Sequence, residues 1–102
     1  MAHFRLTPDA QSDLIEIRHY TQQQWDDAQS KKYLTELRQT IHLLAKTPSI
    51  GESRPDIGID ILSFLHVSHV IYCVIHEQEL VVFSVLHKRM VPLNHLMDRE
   101  IP

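Results

Sequence analysis

Two apolar runs in the second half of the chain, VIYCVI at residues 70 to 75 and LVVFSVL at residues 80 to 86, constrain its fold more than any other feature. Each is apolar on both faces of an extended strand, and a strand of that kind suits the middle of a sheet. The break between them is short and polar. They therefore read as neighbouring strands, Val67 to His76 and Leu80 to His87, joined by a tight turn at Glu77-Gln78. A third strand, Ile61 to Leu65, leads into them through a turn at His66.

The first half of the chain changes period. Phe4 and Leu6 fit a short strand, and Thr7-Pro8-Asp9 then supplies an N-cap, a proline at the first helical position and a first-turn carboxylate. In the helix that follows, Ala10, Leu14, Ile17, Thr21 and Trp25 form one stripe with Ile15 beside it, while Asp13, Glu16 and Gln23 face away. Asp26-Asp27 caps a second helix, where Tyr33, Leu34, Leu37, Ile41, Leu44 and Ala45 make a cleaner stripe that Thr47-Pro48 ends. So short a connection predicts an antiparallel helical hairpin laid on the sheet. Residues 49 to 60, SIGESRPDIGID, hold both glycines and read as an irregular connection.

The expected architecture is α+β in the order β-α-α-β-β-β, a small and mainly antiparallel sheet with the hairpin on one face. The C-terminal PLNHLMDREIP adds at most a helical turn. At 102 residues, with 43% hydrophobic and 23% charged side chains, the chain reads as a single domain over residues 1 to 102 that needs no disulfide or metal to hold it together. Cys73 is the single cysteine, and its apolar strand marks it as a small core residue.

Residues 1 to 7 lack the apolar stretch of a signal peptide, and no run approaches the roughly 20 residues of a membrane-spanning helix. The expected location is cytoplasmic, away from membranes. A net charge of −3 disfavours non-specific binding to phosphate backbones. His66 and His69 share an H-x-x-H spacing across a strand turn with no third ligand nearby in sequence, so neither a metal nor another cofactor is expected.

LTPDAQSDLIEIRHYT with Trp25 after it, IHLLAKTP, GESRPDI, SHVIYCVI and VLHKRM together resemble the ParE-type toxins of toxin–antitoxin modules, within the wider RelE/ParE superfamily. The resemblance spans nearly the whole chain. Its fold, a helical hairpin on an antiparallel sheet, agrees with the layout read from periodicity. It implies a type II toxin that poisons DNA gyrase, contacting the GyrA side, and blocks replication. It also implies a cognate ParD-like antitoxin, a toxin–antitoxin hetero-oligomer and a role in plasmid stabilisation. RelE relatives instead cut messenger RNA on the ribosome. Leu62 and Cys73 stand where ParE-like sequences commonly carry Arg, and Tyr or Arg, which keeps open a third reading as a diverged, non-toxic antitoxin-binding member.

The residues carry these readings unequally. His87-Lys88-Arg89 ends the last central strand as a positive cluster, the expected target contact. Ile15, Tyr33 and Leu37 are the expected antitoxin-binding residues, because apolar groups beyond one stripe would otherwise form an exposed patch. A gyrase poison needs no acid–base pair, so no catalytic residue is expected. A ribonuclease would use Arg89 on the phosphate and His95 as acid, similar to positions in some RelE relatives, with Arg54 or Lys88 assisting and Glu52 or Glu77 as base. No Lys or Arg lies between Arg54 and Lys88, which thins that constellation. Arg54 fits a local pair with Asp56 or Glu52, and Asp9 and Asp13 read as capping or solvated carboxylates.

Overall fold

The computed structural model describes residues 3 to 102. Strand β1 (Phe4–Leu6) leads into α1 (Pro8–Gln24) and α2 (Asp27–Lys46). A single 3-10 turn, Pro48–Ile50, precedes β2 (Glu52–Ser53), β3 (Leu62–His66), β4 (His69–His76), β5 (Glu79–His87) and a short α3 (Pro92–Leu96). The strands form one sheet in the order β1-β5-β4-β3-β2. Every pairing is antiparallel except β1 with β5, where Phe4, Arg5 and Leu6 run parallel to Leu80, Val81 and Val82.

Local chemistry starts and stops these elements as expected. Thr7 caps α1, its Oγ1 accepting the Ala10 N–H at 3.2 Å, and Asp26 caps α2 by accepting from Gln29 at 2.8 Å. Near the bend of the hairpin two small polar residues meet. The hydroxyls of Thr21 and Ser30 are 2.5 Å apart and both residues are buried, which allows close approach of the backbones. Glu77 and Gln78 both have positive φ, 51° and 66°, the conformation of a two-residue hairpin turn that follows strand twist. The β3–β4 turn falls at Val67-Ser68 rather than at His66, with Val67 at φ 53°. A β-branched residue is strained there.

The two sides of the sheet have separate cores. On the hairpin side Leu14, Ile17, Leu37, Ile41 and Leu44 pack against Ile71, Cys73, Leu80, Val82 and Val85. On the other side Tyr72, Val74, Val81, Phe83 and Leu86 are covered by Ile61 and Ile57 of the long connection and by Leu96 of α3. The pattern along β5 slips midway. Tyr72 is opposite Ser84 while Cys73 is opposite Val82, so Phe83 has no partner across the ladder and β5 carries a bulge. Beyond it, Val85 faces the hairpin and Leu86 faces away, the reverse of strict alternation from Leu80.

Two helix positions depart from the stripe expected of them. Trp25 is the C-cap of α1, extended at φ −129° and ψ 176°, so it leaves the helical stripe and stays 39% exposed with its ring edge-on to Tyr33. Asp13, expected to face solvent, is buried at 6% exposure.

Candidate functional site

A cavity of about 530 Å³ opens where β5 ends. Its walls come from four elements: Ile17 and Tyr20 of α1, His69 of β4, Val85 and His87 of β5, and the segment carrying Arg89 and His95. The tail forms one wall because Arg99 grips Asp13 through both guanidinium nitrogens, Nη1 to Oδ2 at 2.5 Å and Nη2 to Oδ1 at 2.8 Å. Asp13 Oδ2 also accepts the Val85 N–H at 2.9 Å, next to the bulge. Arg99 Nη1 donates in addition to the Phe83 carbonyl at 3.2 Å. The carboxylate and its guanidinium thus cancel each other, and the hydrogen bonds that Arg99 donates to Asp13 hold its proton more tightly than usual.

Behind this cavity three histidines stand in a row across three adjacent strands. His66 is opposite His69, and His69 is opposite His87. The bulge makes the row possible, because without it His87 would lie on the other side of the sheet. Each Nδ1 is occupied: His66 by Thr40 Oγ1 at 2.9 Å, His69 by Tyr33 Oη at 2.6 Å, and His87 by the Arg89 N–H at 3.1 Å. Burial first, then the His87 and His66 charges, drives the His69 imidazole down to about 4. Burial likewise raises the Tyr33 phenol. The H-x-x-H pair therefore does converge, on Tyr33. Among the described residues no group of three or more His, Cys, Asp or Glu is placed to hold a metal ion.

The structure brings together Arg89, His95 and His87 around one cavity and leaves Arg54 out. Arg54 lies in the long connection, donating to Asp56 from Nε at 3.1 Å and from Nη2 at 2.9 Å, with Nη1 on Ser63 and the guanidinium 5.7 Å from the Tyr72 ring centre. Its hydrogen bond to Asp56 raises the Arg54 pKa and lowers that of Asp56. This is the local pair expected of it. Lys88 is exposed, and its backbone N–H donates to the Ser68 carbonyl at 2.8 Å. Cys73 is fully buried, and burial pushes its thiol up to about 12, so no thiolate is available.

A second concavity, about 880 Å³, runs along the outside of the hairpin and ends at β1. Leu14 and Leu34 lie in it, Ile15 stands at 56% exposure beside them, and Arg18, Lys31 and Arg38 surround it together with one carboxylate, Asp27. Among the described residues none of those three cations has an ion-pair partner. Of the apolar residues expected at a partner surface, only Ile15 is available. Leu37 is fully enclosed and Tyr33 is 8% exposed, because both point along the α2 stripe into the sheet. Sequence reasoning did not single out these three cations, Arg18 on the outward face of α1 and Lys31 and Arg38, two turns apart, on that of α2. Their signal was in the sequence, but it becomes a cluster only once α1 and α2 lie side by side.

Compared with known proteins, residues 4 to 92 match the family described as ParE toxin of type II toxin-antitoxin system, parDE. The chain belongs to the ParE toxin family. It is 29% identical over 96 residues to Toxin ParE1 of Caulobacter vibrioides, covering 94% of this chain and 99% of that protein. With Toxin ParE of Escherichia coli it shares 29% identity over 100 residues, 97% of each chain. A solved structure titled Chromosomal ParDE TA system from P. aeruginosa has the same fold, with a TM-score of 0.74 at 15% identity over 85% of this chain and 96% of that one. The family match stops at residue 92, so Leu96 and Arg99 of this ParE-family chain lie outside it.

Proposed function

We propose that this chain is the toxin of a type II toxin–antitoxin module, that an antitoxin segment silences it by lying in the groove along the hairpin, and that its target is DNA gyrase. The observation that carries the antitoxin part is the groove itself: an apolar floor with three cations and one carboxylate, Asp27, around it, the cations having no ion-pair partner among the described residues. Such a surface suits an amphipathic segment whose acidic side meets Arg18, Lys31 and Arg38. Ile15 is the apolar contact on this chain. A complex of that kind is a toxin–antitoxin hetero-oligomer. The gyrase reading rests on family membership, with His87, Lys88 and Arg89 as the contact at the end of β5.

A ribonuclease reading is favoured by one specific observation, that Arg89 and His95 share a cavity with His69 and His87. Against it, Arg54 is tied to Asp56 away from that cavity. The decisive experiment expresses the chain without antitoxin, follows DNA breaks and messenger RNA, and assays purified gyrase with Arg89→Ala and His95→Ala. Gyrase poisoning predicts loss of inhibition with Arg89→Ala and little change with His95→Ala. Equal loss of toxicity in both variants, with wild-type protein inert on gyrase, would replace it by RNA cleavage, where each loss costs ~10²-fold or more.

A further inference from the structure

The histidine row, whose His87 also belongs to the proposed target contact, ties α2 to the end of the sheet. Two α2 side chains reach into it: Thr40 meets His66 Nδ1, and Tyr33 packs on the His66 and His69 rings at 5.5 Å each, meets His69 Nδ1 at 2.6 Å and donates to the His66 carbonyl at 3.3 Å. Trp25, at the bend between α1 and α2, packs edge-on against the same tyrosine at 5.5 Å. We propose that the row is an acid-operated catch: a proton taken up by His69 detaches Tyr33, and with it the N-terminal half of α2, from the end of the sheet.

The charges around His69 support this, taken element by element. From α2 it meets the neutral phenol of Tyr33, from β3 the His66 ring, and from β5 the His87 ring at 5.4 Å. From α1 the shared cavity receives Asp13, Glu16 and Tyr20, and from the C-terminal segment Arg89, His95 and Arg99. Asp13 is already spent on Arg99 and the Val85 N–H. Among the described residues no carboxylate is hydrogen-bonded to His69, so a charge placed there has imidazoles on both sides and no counterion in contact. His66 adds to the tension, since its Nε2 is buried and has no hydrogen-bond partner among the described residues. A charged His69 must reach water. Its route is the cavity, on the side away from Tyr33, and a ring that turns that way leaves Oη only its longer bond to the His66 carbonyl, at 3.3 Å.

This inference concerns the chain alone, so it stands or falls separately from the gyrase and antitoxin readings. The test uses Trp25, the single tryptophan, as a reporter of Tyr33. Fluorescence and far-UV circular dichroism are followed from pH 7.5 to 3.5, and the His69 ring is titrated by NMR. The expected result is a one-proton change in Trp25 emission with its midpoint between about 4 and 6.5, matching the His69 titration and preceding loss of helix. His69→Asn, whose amide reaches Tyr33 but does not titrate in this range, should abolish the change. If that variant does not fold, His87→Gln serves instead: removing a neighbouring imidazole should move the midpoint to higher pH. Emission that stays flat until the helices melt, the same midpoint in wild type and His69→Asn, or a midpoint unmoved by His87→Gln overturns the proposal.

Discussion

Asp13 and Arg99 lie 86 positions apart and meet in a two-pronged ion pair that closes the C-terminal tail onto α1. Both side chains are largely buried, at 8% and 16% exposure. Breaking one partner of a buried pair strands the other charge, which typically costs about 3 to 5 kcal/mol, whereas replacing both by apolar groups is often close to neutral. Arg99→Leu and Asp13→Leu should each destabilise the fold strongly. The double variant should lose less than the sum, because no charge is stranded. Urea unfolding of the three variants measures the coupling.

The groove along the hairpin predicts a charge effect on antitoxin binding. Arg18→Glu, Lys31→Glu and Arg38→Glu are all on exposed positions and should leave the melting temperature nearly unchanged. Each should weaken the complex by about 1 kcal/mol or more, and the wild-type affinity should fall as salt rises. Calorimetry with the antitoxin segment checks both. Ile15→Ala should likewise weaken binding in a folded protein, whereas Leu37→Ala should cost about 2 to 5 kcal/mol of stability because it opens a cavity in the core. Equal binding losses without any stability difference would contradict the burial of Leu37.

Arg54 is predicted to be structural. Its replacement by alanine removes the hydrogen bond to Ser63 and the contact with the Tyr72 ring, an expected loss of about 1 to 2 kcal/mol. Toxicity should survive wherever the variant stays folded. Loss of growth inhibition with an unchanged urea midpoint would return Arg54 to the functional site.

Stability should fall in mild acid, and the sign follows from His69. Its folded-state pKa of about 4 lies below the unfolded value of 6.5, so the unfolded chain binds the proton first. The stability that a neutral His69 allows is fully present above pH 6.5 and is lost as pH drops towards 4. The full span corresponds to about 3 kcal/mol. Urea midpoints at pH 7 and pH 4.5 in wild type and His69→Asn measure it, and the variant should show the smaller difference.

Much of this architecture is legible in the sequence. The helix starts at Thr7 and Asp26 are local hydrogen-bond chemistry, and the stripe from Tyr33 to Leu44 is a period of 3.6 written over three turns. The Arg54–Asp56 pair was legible for the same reason, since two residues of separation leave little to chance. Trp25 shows the limit of periodicity. It has the right spacing for the α1 stripe, but the helix ends one residue earlier, and the spacing then says nothing about where the ring points.

By itself the sequence determined the order of the main elements, the hairpin and the central place of β4 and β5, because caps, turns and apolar period act over a few residues; the two-residue strand β2, inside the connection read as irregular, has no such signal. Only the tertiary structure decided what the site is made of. The bulge at Phe83 reverses which residues of β5 face the hairpin, and so brings His87 into line with His69 and Val85 over Asp13. Arg99 became the partner of Asp13 only when the tail returned across the end of the sheet. A one-residue slip in a period of two turns side chains to the opposite face. A contact between residues 86 positions apart has no local signature, and both are settled only when the packed sheet chooses its register.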